Sequence, residues 1–380
     1  MFVATILAAL GFTIPVAKGN VALDASDSAS SAGLALHTFS GAPYGVTTSI
    51  HELIFDGAQY SLDIGLANHE IDGGLETPSS MCRSTPDCVA AVNADYFDAT
   101  PARTADPGDE VGGIIQDCVL LHTPEVSHQQ VDLDGPSVSG SFNWSSSADV
   151  NGVTVPISAV NQELPMRYRG VNLPLAGTLL FTAPYALPTP SRAGRMTYEF
   201  SQIDGMTNPA TSPTTINTTS ELDLVAETAQ PVQIAVGDVD ISAPAGSAFA
   251  SLPLGATVSL TTTSSAGCNN IGGHPILIEN GVVVPTSSAD TYMTQRYARS
   301  VVGWTSSGET VIVTVGGIDD RTGATVSQLD RVLLSLNVVT AIDLDGGDST
   351  ALYAKGRIFY HANKAGERPV STSLLVIGNP

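Results

Sequence analysis

Between Thr340 and Leu352 the chain reads Thr340-Ala341-Ile342-Asp343-Leu344-Asp345-Gly346-Gly347-Asp348-Ser349-Thr350-Ala351-Leu352, an apolar run that gives way to acids, glycines and hydroxyls. The apolar part has the length of a buried strand. Paired glycines at its end let the backbone turn and approach a ligand closely. Asp345 before that turn and Ser349 and Thr350 beyond it can converge on one point, which suits acid–base or electrostatic chemistry on a small molecule. A turn whose Asp and Ser side chains bond only their own backbone would have the same composition. A second stretch repeats the pattern: Cys88-Val89-Ala90-Ala91-Val92 runs into Asn93-Ala94-Asp95-Tyr96-Phe97-Asp98, polar groups again capping a core strand. His274 beside Gly272 and Gly273 is a further candidate, although a loop histidine is more often simply solvated. Arg299 and Arg368 offer guanidinium forks that match carboxylate or phosphate oxygens. For each, the plain alternative is an ion pair with one of the many acids.

The elements that must hold these groups are mostly strands. Glu52-Leu53-Ile54-Phe55, Tyr60 to Ile64, Thr178 to Thr182, Val232 to Val236 and Glu309 to Val315 are short, alternating or apolar runs separated by Gly, Pro and Ser. Asn280-Gly281 after Ile276-Leu277-Ile278 is a hairpin signal. From Ser327, Leu329, Val332, Leu333 and Leu336 recur at helical spacing, with Asn337 as a stop. The expected fold is therefore α+β and β-rich, with mixed, mostly antiparallel sheets, few helices and one clear helix near 327–337. Residues 131–262 read as strands and turns throughout, either a subdomain or part of one continuous β-rich body.

Only 14% of residues are charged and 43% are hydrophobic, a strand-and-turn composition. The net charge of -22, with 15 Lys and Arg, argues against nucleic acid or anionic membranes as partners. Phe2 to Val16 is apolar and too short for a comfortable membrane span, so residues 1–19 are expected to be a signal peptide and 20–36 a linker, with 37–380 as the catalytic body. The usual basic n-region is missing. No membrane span is expected after cleavage. The four cysteines allow three disulfide connectivities in an exported protein, of which Cys82 with Cys88 and Cys118 with Cys268 is favoured.

Taken in order, several segments resemble the catalytic domain of the phosphodiester glycosidase family, that of the uncovering enzyme, over most of residues 50–378. Val92-Asn93-Ala94-Asp95-Tyr96-Phe97 and Val111-Gly112-Gly113-Ile114-Ile115 are similar to its first motifs. Ile271 to Leu277 with Glu279-Asn280-Gly281 resembles its glycine turn and hairpin, and Tyr297 to Gly303 its A-R-T-A-hydrophobic-G. Leu344 to Thr350 resembles L-D-G-G-G-S-S/A, and Arg368-Pro369-Val370-Ser371-Thr372 the closing R-x-V-S/A. Asp348 stands where that pattern has a third glycine, Asp343 where Asn is common and Asp95 where glycine is frequent. The extra acids Asp343 and Asp348 are tentative ligands for a possible calcium ion, because D-x-D-G-x-D supplies hard oxygens. No cofactor is required.

The resemblance implies a secreted enzyme that hydrolyses a sugar-1-phosphodiester, as a small molecule or on a glycan, to free sugar and a phosphomonoester. Asp345, Arg299 and Asp95 would be catalytic. Asn93, Tyr96, Gly273, His274, Gly346, Gly347, Ser349, Thr350 and Arg368 would bind substrate. On that reading Arg299 clamps the phosphate, Asp345 faces it across a common cleft, and Arg299→Met is expected to spare folding while abolishing turnover. Alternatives are a non-catalytic secreted carbohydrate-binding or surface protein on the same fold, or a metal-dependent phosphodiesterase. The first finds little support in 6% aromatics; the second lacks a two-metal ligand pattern. Asp343-Leu344-Asp345-Gly346 also looks like a haloacid-dehalogenase start, but it falls too near the end of the chain for that fold.

Overall fold

The computed structural model describes residues 27–380 except 32, 41–44, 47, 100–107, 125–127, 163–166, 169–170, 173–176, 184, 204–215, 288–289, 318 and 320. The expected signal peptide, residues 20–26 of the expected linker and the Asp106-Pro107 loop lie outside the described residues. The rest of that linker is largely strand: Asp27–Ser31 pairs antiparallel with Leu34–Phe39 across Gly33, whose φ of 71° suits the turn. Small polar residues look like linker by composition, yet sheet pairing uses the backbone and is indifferent to them at an edge.

Among the described residues there are five sheets, the smallest the two-stranded pair Arg167–Tyr168 with Val171–Asn172. The largest runs Asp27–Ser31, Leu34–Phe39, Ser49–Phe55, Thr310–Gly316, Arg299–Thr305, Val338–Asp343, Ile276–Glu279 and Val282–Val283, antiparallel throughout. A five-stranded sheet orders Arg357–His361, Ala351–Ala354, Cys88–Asn93, Thr372–Gly378 and Tyr60–Leu66. Another five-stranded sheet orders Val119–His122, Ile114–Gln116, Asn270–Gly273, Gln129–Asp132 and Ser137–Ser139. Trp144–Val150, Val153–Val160, Thr178–Thr182, Asp238–Pro244, Arg195–Gln202, Ile216–Thr228 and Thr257–Ser264 close into a barrel. Its one parallel pair joins Val153–Val160 to Thr178–Thr182. The β-rich, mostly antiparallel α+β expectation holds. The barrel, from Trp144 to Ser264, takes up most of the 131–262 segment and has a core of its own around Phe200, Leu222, Ile241 and Phe249. Its outward residues Leu179 and Phe181 join the core shared by the other sheets.

The expected helix is Val326–Ser335. Thr325 caps it in a box with Gln328, a start signal one residue before Val326, and Asn337 at φ 58° takes the left-handed position beyond its end. Val326, Leu329, Val332 and Leu333 are buried against Ile50, Val301, Val313 and Ala341 of the eight-stranded sheet. That packing holds the strand Val338–Asp343, and hence the acids at its end. Cys82 bonds Cys88 and Cys118 bonds Cys268, as expected; the second link spans 150 residues and ties the strand Ile114–Gln116 to the segment entering Asn270–Gly273. Among the described residues no helix is long and apolar enough to cross a membrane.

Burial sets an unusual pH dependence. Glu52 and Asp240 are pushed up to about 7 by burial, and Asp132 and Asp330 to about 6. Their unfolded values lie near 4. The folded protein therefore holds more protons than the unfolded chain between about pH 4 and 7, and stability is lost as pH rises through that window. His51, lowered by burial to about 4, works the other way: its contribution is lost as pH falls from about 6.5 toward 4. Several carboxyls outweigh one imidazole, so the Tm by calorimetry is expected to be several degrees higher at pH 5.5 than at pH 8. A flat profile, or one rising toward pH 8, contradicts this.

Candidate active site

The ends of two core strands from different sheets meet. Beyond Val338–Asp343, the Asp345 N–H donates to the Ala94 carbonyl at 2.9 Å, and beyond Arg299–Thr305's partner edge the Leu344 N–H donates to the Ser300 carbonyl at 2.8 Å. Asn93 locks the junction. Its amide donates to the Asp345 carbonyl at 2.6 Å and accepts from the Ser300 hydroxyl at 2.6 Å and the Ala351 N–H at 3.2 Å. At 1% exposure, with both amide atoms engaged, Asn93 joins the sheets and is not presented to a substrate. The glycine pair has separate roles. A Cβ on Gly346 would lie 2.6 Å from the Tyr292 hydroxyl and 2.7 Å from the Ala298 carbonyl, while Gly347 adopts φ 60°.

Asp345 is partly exposed at this turn. Burial pushes its carboxyl up to about 7; the Ser349 hydroxyl, Arg368 and the Gly346 N–H pull it down, and Asp95 adds to the rise. Arg368, also partly exposed, donates to the Ser349 hydroxyl at 2.9 Å and lies 5.3 Å from the centroid of the Phe97 ring. One acid and one guanidinium thus share a hydroxyl at a solvent-reachable turn. Thr350 is fully buried, as is the Ser349 residue that links the pair.

Arg299 lies elsewhere in the network. It is 0% exposed, its Nη1 donates to Asp343 Oδ2 at 2.7 Å, its Nε to the Ala324 carbonyl at 3.3 Å and its Nη2 to the Tyr292 carbonyl. The Tyr292 ring covers it at 4.2 Å. Burial pushes the Asp343 carboxyl up to about 7 against the downward pull of Arg299, which stays protonated as arginine does in proteins. The expected phosphate clamp at Arg299, and a cleft shared face to face with Asp345, are therefore corrected: tyrosines wall Arg299 from solvent. The network still reaches the turn, because the Tyr292 hydroxyl is 3.0 Å from that of Tyr96, which donates to the His274 carbonyl at 2.8 Å. Burial pushes both phenols up, leaving them neutral.

Asp95 sits in a cradle. Its Oδ1 is 2.9 Å from His128 Nε2, and a Cβ on either Gly112 or Gly272 would collide with its Oδ2. The two glycine doublets noted in the sequence thus flank one buried carboxylate. That Oδ2 has no hydrogen-bond partner, nor has Oε2 of Glu110, a second buried acid whose Oε1 accepts from the Ser371 hydroxyl. Burial, then the charge of Asp95, pushes the Glu110 carboxyl well above the usual carboxylate range. His274, partly exposed, contacts Gln129 through Nδ1 at 2.9 Å, and both line a cavity of about 180 Å³ with Pro275, Asp290 and Met293. Gly273 is buried with a Cβ position 2.8 Å from the Asp343 carbonyl, a close approach of strands rather than an open surface.

Asp345, Ser349, Arg368, Gly347, Asp95 and Tyr96 are thus linked by contacts or field, with His274 joined through Tyr96. Asn93, Gly273, Thr350 and Arg299 form the support beneath them. His128, Glu110, Tyr292 and Gln129 had no signal in the sequence. Asp343 is committed to Arg299 whereas Asp348 is exposed, so the two do not fit a calcium site. Among the described residues no group of three or more His, Cys, Asp or Glu side chains is placed to hold a metal ion.

Residues 227–377 match the model of the phosphodiester glycosidase family. The glycine turn, the Arg299 strand, the Asp345 turn and the Arg368 motif fall inside it; the motifs at 92–97 and 111–115 precede it. Among solved structures, a hypothetical protein from Synechocystis has a TM-score of 0.68 at 18% identity, covering 94% of this chain and 64% of its own. The chain thus spans less than two thirds of that protein. A candidate exported protein from Burkholderia pseudomallei K96243 has a TM-score of 0.64 at 16% identity, covering 87% of this chain and 74% of its own. These likenesses show the fold alone. The zebrafish N-acetylglucosamine-1-phosphodiester α-N-acetylglucosaminidase catalytic domain, auto-inhibited by its pro-peptide, has a TM-score of 0.41 at 15% identity, covering 88% of this chain and 78% of its own, too low to argue from. No curated protein matches the chain.

Proposed function

We propose that this protein is an extracytoplasmic hydrolase that breaks the sugar carbon–oxygen bond of a sugar-1-phosphodiester, releasing free sugar and a phosphomonoester. The observation that carries the reading is the partly exposed Asp345 sharing the Ser349 hydroxyl with Arg368, beside a second acid, Asp95. A phosphate leaves as an anion near neutrality, its second pKa being about 6, so the site needs charge stabilisation more than a general acid. Arg368 would meet the phosphate oxygens. Asp345, ionised, would activate water at the sugar carbon or stabilise its positive charge. Asp95, buried beside His128, would act on Asp345 through its charge and not by touching the sugar. The family match over 227–377 supports the reaction class, and the two disulfides support an oxidising compartment.

The test is a panel of sugar-1-phosphodiesters hydrolysed in ¹⁸O-labelled water. Label in the released sugar is the expected result. Label in the phosphate would mean phosphorus–oxygen cleavage and a phosphodiesterase, and saturable binding without turnover would leave only a carbohydrate-binding protein.

A further inference from the structure

The barrel is filled unevenly along its axis. Toward one end Tyr198 and Phe200 pack on Phe249 at ring-centroid distances of 5.4 and 6.2 Å, all three fully buried. Along the same inward rows the side chains then shrink. The strand Ile216–Thr228 turns Leu222 and Leu224 inward, then Thr218 and Ser220, before Ile216 closes the row; Thr257–Ser264 passes from Val258 and Leu260 to Thr262 and Ser264. Ser146 on the neighbouring strand joins them, its hydroxyl 2.9 Å from that of Thr262. The missing side-chain volume appears as a cavity of about 160 Å³.

Its apolar walls include Leu120, Leu180, Val239 and Leu260, and the hydroxyls of Thr218, Ser220 and Thr262, with Gln202 and Asp238, are among its polar groups. Ser146 and Thr262 bond each other and Thr218 donates to the Thr262 carbonyl, but the void beside them does not help the barrel fold, because an unfilled cavity costs more with its size. A barrel of roughly this strand number is just wide enough to be filled by side chains or to hold one small ligand. An apolar cavity of about 150 Å³ accepts a benzene ring.

We propose that this cavity is a binding site, separate from the Asp345 turn, for a small neutral alcohol or phenol: a ring-sized apolar body carrying one hydroxyl. The chemistry of the lining selects this class. Asp238 is the one ionisable residue among the lining residues, so an anion meets repulsion and no cation. No aromatic side chain lines the cavity to stack on a sugar ring. The aliphatic walls take the ring, and the hydroxyl cluster takes the polar group.

Benzyl alcohol titrated into the whole protein, followed by calorimetry and by amide NMR, is expected to bind saturably at one site with shifts confined to barrel residues. Ser220→Leu fills the cavity; it is expected to lose binding by at least about ten-fold without a lower Tm. Thr262→Val keeps shape and removes one hydroxyl, so it is expected to weaken benzyl alcohol by about ten-fold, the worth of one hydrogen bond, and to leave toluene unchanged. Absence of saturable benzyl alcohol binding to the wild type, toluene binding as tightly as benzyl alcohol, or unaltered binding in Thr262→Val would overturn the proposal. So would a folded Ser220→Leu that still binds.

Discussion

Asp345→Asn is expected to lower the release of free sugar from a sugar-1-phosphodiester by about 10³-fold, within the range ascribed to a positioned acid or base. The fold should survive. Asn is nearly the same size, and the contacts that anchor the turn, from the Asn93 amide to the Asp345 carbonyl and from the Asp345 N–H to Ala94, use the backbone. Removal of a carboxyl that burial pushes up to about 7 should leave Tm unchanged or raised at pH 8, where the wild-type group is ionised against Asp95. In the wild type the same group sets the acid limb of kcat/KM near pH 7, with activity rising as Asp345 ionises. A variant within ten-fold of wild-type turnover would remove Asp345 from the chemistry.

Arg299→Met is expected to fail in a different way. The substitution leaves Asp343 at 0% exposure beside Tyr292 with no countercharge, and losing one partner of a buried ion pair costs about 3–5 kcal/mol. The urea midpoint should fall sharply. The double variant Arg299→Met with Asp343→Asn should recover part of that loss, since the stranded charge is gone. Arg368→Met, by contrast, should keep the wild-type midpoint within about 0.5 kcal/mol, as surface changes do, while lowering kcat/KM. If Arg299→Met folds like the wild type and Arg368→Met turns over normally, the guanidinium roles argued from burial are reversed.

The difference between those arginines marks where reading the chain stopped. Both appear in family-like motifs, both precede or open a strand, and either can bind phosphate by its chemistry. Which one meets solvent depends on Tyr297, beside Arg299 in the motif, and on Tyr292, from a segment that carries no motif, folding over it. The same holds for Asn93, polar at a strand end and therefore plausible as a ligand group, but spent on joining two sheets. His128 and Glu110 went unseen because a buried acid and its imidazole partner, 33 residues apart, leave no periodic trace in either segment.

What the amino-acid order determined by itself is local: strands from apolar runs, the helix Val326–Ser335 from its spacing and caps, and the acid-glycine turn at 343–347 as a candidate site. Those features rest on side-chain periodicity and backbone freedom, which act between near neighbours. Burial, and with it the charge state of Asp345, the ion pair of Arg299 with Asp343 and the exposure of Arg368, was decided only when distant strands stacked. The cost of a charge depends on everything packed around it, and that surrounding exists only in three dimensions.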